Sequence, residues 1–182
     1  MLMHKGTQVL KTERLTLRPF TPEDAEAMYR NWASDPEVTK FLTWPTHASV
    51  EVSQWVCNDW CSHYAEPDYY SWAIVYEGHA IGSIAVVSHD DQVGKAHIGY
   101  ALGRSWWHMG IMSEALQAVM DFLFDEVGYN RLESRHDPRN PHSGGVMRKC
   151  GMQYEGTSRA SDRNNQGICD IAIYSILRSE LK

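Results

Sequence analysis

The chain has 182 residues, 43% of them apolar with seven Trp and nine Tyr, and a formal net charge of −6. That is material for one globular domain over residues 1–182, with Met1–Lys11 as a loose N-terminal segment, and it excludes a disordered chain. The acidic balance argues against direct nucleic-acid binding, and no apolar run approaches the roughly 20 residues that cross a bilayer.

Leu15, Leu17 and Phe20 predict a first strand over Glu13–Phe20. Thr21 can cap a following helix, Pro22 suits its first turn and Asp24 complements its dipole. That helix runs to about Ala33, where Asp35-Pro36 breaks it. A second helix is expected over Ala48–Tyr64, with Val52, Trp55, Val56, Trp60 and Tyr64 on one face. Strands Tyr70–Tyr76 and Ala80–Ser88 flank the hairpin signal Glu77-Gly78-His79. A polar turn over His89–Gly94 leads into the strand Lys95–Gly103. Met112, Leu116, Val119, Met120, Leu123 and Val127 form the stripe of the most periodic helix, which ends near Gly128. A strand over Arg131–His136 and a short helix over Pro141–Lys149, stopped by Gly151, follow. Strands Gln153–Arg159 and Ile168–Leu177 close the chain, joined by a polar Ser161–Gly167 loop. The order β-α-α-β-β-β-α-β-α-β-β defines a mixed α/β (α+β) fold with a largely antiparallel front half.

Cys57, Cys61, Cys150 and Cys169 suit neither a zinc ribbon nor a redox CxxC pair and read as small buried or half-buried side chains. The nine histidines show no HExxH or paired ligand spacing, so no metal is expected. The N-terminus carries no signal-peptide apolar region, which predicts a cytoplasmic protein.

One stretch carries chemistry. Trp106 to Ala115 joins a strand to a helix start, where free backbone N–H groups and the helix dipole favour an anion such as a phosphate.

Its neighbours resemble the GNAT family of acetyl-CoA-dependent N-acetyltransferases, in the RimJ/RimL branch that acetylates protein N-termini. Thr12 to Asp24 looks like that branch's opening, and Ile98-Gly99-Tyr100-Ala101-Leu102-Gly103 like its fourth strand. Trp107 to Leu116 looks like its pyrophosphate loop and helix. Asp137 to Ser143, with Arg148-Lys149-Cys150-Gly151-Met152, looks like its second cofactor segment. Glu155-Gly156-Thr157-Ser158-Arg159 and Asp170 to Leu177 look like its last two strands.

The resemblance implies a single mixed, mostly antiparallel sheet with helices on both faces and splayed central strands. It implies acetyl-CoA as acetyl donor, with no metal. Backbone amides of His108, Met109, Gly110, Ile111 and Met112, beside Trp107, would hold the pyrophosphate. Ala101, Leu102 and Gly103 would pair with the pantetheine arm and polarise the thioester carbonyl, and Asn140 would bind the same arm. The acceptor, a primary amine, would attack directly, with no acyl-enzyme. The resemblance points to the α-amino group of a protein such as a ribosomal subunit. A small amine (polyamine, amino acid or antibiotic) is the alternative, and a non-catalytic acyl-CoA-binding module is a third reading. Dimers are common in the family, so a homodimer is expected.

Two departures matter. The family motif is (Q/R)-x-x-G-x-(G/A), and here Ser105 stands at the first position, His108 where the branch has its first glycine, and Met112 near a small-residue position. Only Gly110 is retained, and His108 either blocks close approach, strains the backbone or contacts phosphate itself. The tyrosine acid of many relatives is replaced by Met147. Candidate catalytic residues are therefore Ser143, against a first-turn serine bonded to a backbone amide, and Asp162, against a solvated loop carboxylate. His97 is a third candidate, against a core histidine. Trp44, Trp55, Trp60 and Trp72 either line an acceptor groove or fill the core, with Trp44-Pro45 the best wall; Trp107 reads as a packing anchor.

Overall fold

A computed structural model describes residues 2–181. Strands β1 (Leu10–Lys11), β2 (Leu15–Arg18), β3 (Ser71–Tyr76), β4 (His79–Asp90), β5 (Lys95–Leu102), β6 (Arg131–His136), β7 (Gln153–Asn164) and β8 (Gly167–Leu177) form one sheet in the order β1-β2-β3-β4-β5-β6-β8-β7. Only β5 and β6 run parallel; every other neighbouring pair is antiparallel. The helices are α1 (Ala25–Met28), α2 (Pro36–Thr39), α3 (Val50–Ser62), α4 (Ile111–Phe122) and α5 (Pro141–Lys149). A 3-10 turn Pro22–Asp24 opens α1, and π turns Tyr29–Ala33 and Leu123–Val127 extend α1 and α4. Among the described residues no helix is long and apolar enough to cross a membrane.

The strand period of two sorts the side chains into two cores. Leu15, Leu17, Trp72, Ile74, Ile84, Ala96 and Ile98 share one cluster with Ile111, Ala115, Leu116 and Val119 of α4 and Met147 of α5. The opposite face presents Ala73, Ala80 and Ala101, whose small size lets α1 and α3 approach with Met28, Trp32 and Cys57. The helices therefore lie on both faces, as the family resemblance implies.

Several boundaries move. β1 and α2 are additional to the expected order; Asp35 accepts a hydrogen bond from the Glu37 amide at 3.0 Å and so starts a new helix where a break was predicted. The buried line of α3 runs through Ser53, Val56, Cys57 and Trp60, whereas Val52 is 38% and Trp55 68% exposed. Small Ser53 and Cys57 permit closer packing than the bulkier pair, and Ser53 Oγ also holds His47 Nδ1 at 2.7 Å. β4 continues to Asp90, pairing with Lys95, so the turn shrinks to the residues between them. The predicted Ser161–Gly167 loop is largely strand. Ala160 takes a left-handed φ of 47° and its amide donates to Asp170 at 2.8 Å, so the surplus residues bulge and pairing resumes at Asp162↔Cys169.

β5 and β6 pair only from Lys95↔Arg131 to His97↔Glu133. Beyond that point they diverge, and the buried Ser134 hydroxyl replaces the ladder by donating to the Ile98 carbonyl at 2.7 Å. The divergence leaves a cleft in the middle of the sheet, with the starts of α4 and α5 at its mouth.

Candidate active site

The residues between β5 and α4 build an anion cradle. Gly103 ends the strand, a 3-10 turn covers Arg104–Trp106, and Trp107 Nε1 donates to the Leu102 carbonyl at 2.8 Å, which pins the loop to the sheet. Trp107 is thus a packing anchor. His108 and Gly110 both take left-handed backbone angles, with φ of 62° and 75°. Gly110 tolerates this freely, whereas His108 sits where a glycine would be unstrained; histidine is among the side chains that enter this region more often. The turn presents the amides of His108 to Ser113 outward, with no acceptor among the described residues and no side-chain cap on Gly110. Ile111 and Met112 bury their side chains, leaving only their backbone groups to the cradle.

Two cations converge there. A Cβ on Gly110 would stand 3.4 Å from Lys149 Nζ and 3.6 Å from the Arg14 guanidinium. Arg14 is fixed by Glu114 Oε2 at 2.7 Å and by the Met109 carbonyl at 2.9 Å. Lys149 forms no ion pair among the described residues. Free amides, a helix start and two cations fit a diphosphate. His108 lies against the edge of the His142 ring, with centroids 5.0 Å apart, so both imidazoles border the cradle.

The cleft leads inward from the cradle. In an antiparallel ladder the main-chain groups of alternate residues point to the same side. The Gly103 amide is bonded to the Ile81 carbonyl at 2.9 Å, so Gly103 and, by alternation, Ala101 face β4. The backbone of Tyr100 and Leu102 faces the cleft instead, a correction to the expectation that Ala101 and Gly103 also present their amides there. Asn140 precedes α5, and its side chain makes no cap hydrogen bond. Ser143 Oγ does not serve a backbone amide; it lies 3.3 Å from Tyr100 Oη, whose hydroxyl donates to the Ser143 carbonyl at 3.0 Å. Tyr100 therefore spans the cleft, and burial pushes its phenol well above the usual range. Met147 is fully buried in the core.

His97 lies on the other face of β5 beside the last ladder pair. It borders a polar cavity of about 250 Å³ with Ser88, Lys95, Glu133 and Arg135. Burial and then the Arg135 charge lower its pKa to about 4, against the opposing pull of Glu133 and Asp162. It is neutral at physiological pH and half-buried, not a core histidine. Asp162 is exposed on β7, not in a loop, and has no cation partner among the described residues; its carboxylate accepts from the Arg163 amide at 2.7 Å.

The β7–β8 hairpin tip folds back over this face. Asn165 Nδ2 donates to the carbonyls of Thr39 and Trp44, both at 2.8 Å, and Asn164 Nδ2 donates to buried Asp137 at 2.8 Å. Arg139 grips the same carboxylate, holding Asp137 down at about 2. Trp44 is half-buried at this junction, whereas Trp72 is fully buried and Trp60 packs on Phe20 at 4.9 Å. In the sequence Tyr100, Lys149 and Arg14 stand only as members of family-like segments, with no individual role. The common direction of Tyr100 and Leu102 along β5 was the available signal for the first; nothing local marks the other two.

A sheet split at its only parallel pair, with an anion cradle at the mouth, is the architecture of an acyl-CoA-dependent transferase. The profile of the family "Acetyltransferase (GNAT) domain" matches residues 14–153, and the chain belongs to that family. It is 32% identical over 176 residues to the uncharacterized N-acetyltransferase p20 of Bacillus licheniformis, covering 95% of this chain and 98% of that protein. A shorter stretch of 63 residues, 35% of this chain and 32% of the relative, is 29% identical to the ribosomal protein uS5-alanine N-acetyltransferase of Escherichia coli. A GNAT acetyltransferase structure from Bacillus anthracis superposes with a TM-score of 0.83 at 25% identity, covering 95% of this chain and all of that one. The chain is an acetyl-CoA-dependent N-acetyltransferase of the GNAT type.

Proposed function

We propose that the acceptor is the α-amino group of a protein, with a ribosomal protein as the first class to test. The convergence of the free amides at His108 to Ser113 with Lys149 and Arg14, at the open end of the β5–β6 cleft, carries the proposal for the donor side. Acetyl-CoA supplies the acetyl group as a thioester. The His108–Met112 amides and Lys149 hold its diphosphate; Leu102, Tyr100 and Asn140 receive the arm along the cleft. A cleft-facing amide of β5 stabilises the charge that develops on the thioester oxygen. Ser143 and Tyr100 share a proton-bearing pair within reach of a departing thiolate. Asp162 attracts the incoming ammonium on the His97 face of the sheet, and neutral His97 relays its proton to solvent, since a group held at about 4 does not keep it at physiological pH.

The name of the Escherichia coli relative supports a protein acceptor. The wall formed by Trp44 and the hairpin tip supports an acceptor that enters from the α1–α2 side. An acetylation screen with peptide N-termini and small amines side by side, read by CoA release and mass spectrometry, tests this. Turnover on peptides above that on any small amine is expected; turnover confined to polyamines, amino acids or antibiotics overturns it.

A further inference from the structure

We infer that His4, His89 and Asp91 form a binding site for a divalent transition metal of the zinc type, clamping the N-terminal segment to the β4–β5 hairpin. These residues share no ligand spacing in the sequence, from which no metal is expected, and only the fold brings residue 4 beside residues 89 and 91. His4 Nε2 lies 3.0 Å from Asp91 Oδ2, and His89 Nδ1 lies 2.9 Å from Asp91 Oδ1. One ligand atom from each residue falls within 4.8 Å of the others. The imidazole rings stand 5.6 Å apart.

The surroundings point to a ligand. Tyr129 is fully buried beneath the cluster, its ring 6.1 Å edge-on from His4 and 6.4 Å from His89. Its hydroxyl has no hydrogen-bond partner among the described residues, although such groups are nearly always paired. A metal-bound water would accept from it. His4 Nδ1 is held by Tyr70 Oη at 3.0 Å, leaving Nε2 directed at the cluster. Such an outer partner is the usual companion of a ligating histidine. Asp68 Oδ2 lies 3.7 Å from His89 Nε2, beyond hydrogen-bond length but on the side of the ring away from Asp91 Oδ1.

Two imidazoles and one carboxylate suit zinc, and cobalt as its spectroscopic substitute, better than calcium or magnesium, which take oxygen donors. The site lies at the Lys95 end of β5, away from the cradle beyond Leu102; His89 also borders the cavity of His97, and the role inferred for the metal is to fasten the chain. With Met3 bonded to the Val127 carbonyl at 2.9 Å, it would fasten the segment before β1 across the sheet end.

The test uses the full chain, stripped of metal by a chelator and titrated with zinc chloride. One equivalent should bind and raise the thermal midpoint. His4→Gln, His89→Gln and Asp91→Asn should each weaken binding at least about tenfold, and Tyr70→Phe about tenfold. His79→Gln, an exposed histidine outside the cluster, should not change it. The metal-free thermal midpoint of each variant separates lost folding from lost ligation. Cobalt substitution should give weak visible bands without thiolate charge transfer. Absence of stoichiometric zinc, unchanged affinity in the folded His4 and Asp91 variants, or a thiolate spectrum would each overturn the inference.

Discussion

Lys149→Met removes the cation at the start of α4 that no carboxylate neutralises. Arg14 stands beside it, but its charge is compensated by Glu114 at 2.7 Å. Lys149 Nζ lies 3.4 Å from the point a Cβ on Gly110 would occupy, at the centre of the amide cradle. Two unit charges about 4 Å apart attract by about 4 kcal/mol near a protein surface and by about 1 kcal/mol in bulk water. Lys149 is exposed, so the lower end governs, and we expect a loss of about 1–2 kcal/mol. That corresponds to a roughly 5- to 30-fold rise in the Kd for acetyl-CoA. Turnover at saturating acetyl-CoA should be unchanged, because Lys149 is remote from the reacting carbon. Stability should also hold, because the side chain makes no ion pair among the described residues. Titration calorimetry at low and high salt checks both size and origin, since screening should shrink the difference between variant and wild type. An unchanged Kd at low salt would refute placement of the diphosphate at this helix start.

Four further outcomes follow from the geometry. His108→Gly relieves a left-handed side chain at φ 62° but frees the unfolded backbone; the two effects, each about 1 kcal/mol, nearly cancel. Chemical denaturation should therefore shift little, while calorimetry should show weaker acetyl-CoA binding through loss of the imidazole; tighter binding would mean that the ring obstructs. His97 is held down to about 4 from 6.5, so the unfolded chain binds its proton first and wild-type stability falls as pH drops from about 6.5 to about 4. The loss reaches at most about 3 kcal/mol at roughly 1.4 kcal/mol per unit, and denaturant titrations of His97→Gln should lack that slope. Tyr100→Phe and Ser143→Ala should each lower kcat more than they raise the KM for acetyl-CoA in a CoA-release assay; equal kinetics in both would remove the pair from the mechanism. Asp137→Asn takes the charge from Arg139 while keeping a partner for Asn164, and should cost about 2–3 kcal/mol. Limited proteolysis should then cut the hairpin tip near Asn165 faster than in wild type, and equal cutting rates would break the argued link.

The sheet was legible where its strands alternate, as in β2 and β5. Leu15 and Leu17, or Ala96 and Ile98, declare a buried face without help from the rest of the chain. The stripe of α4 did the same at helical spacing. What escaped were features decided by tertiary contact. Val52 and Trp55 match the apolar period of α3 yet face out, because Ser53 and Cys57 fit more closely against α1 and the sheet. The strand through Asp162 was hidden by Arg159 to Asn165, whose polar composition reads as loop; its bulge depends on a hydrogen bond between Ala160 and Asp170 across the hairpin. In the site, glycine and helix-start chemistry located the cradle from local residues alone. The Lys149–Arg14 convergence and the Tyr100–Ser143 bridge join residues distant in sequence, and no spacing rule announces them.

The short contact between β5 and β6 also bears on how the chain assembles. β2 to β5 form an antiparallel meander, and β6 to β8 form a second antiparallel group. The two are stitched by a parallel seam ending at His97↔Glu133 and by the Ser134 hydroxyl. Parallel pairing closes a long loop, here the whole of α4 and its flanking turns, before any hydrogen bond repays the lost entropy. The seam is therefore expected to zip late in folding, after each group and α4 have formed. The same economy of contacts that opens a cleft for acetyl-CoA makes the middle of the sheet its last-built part.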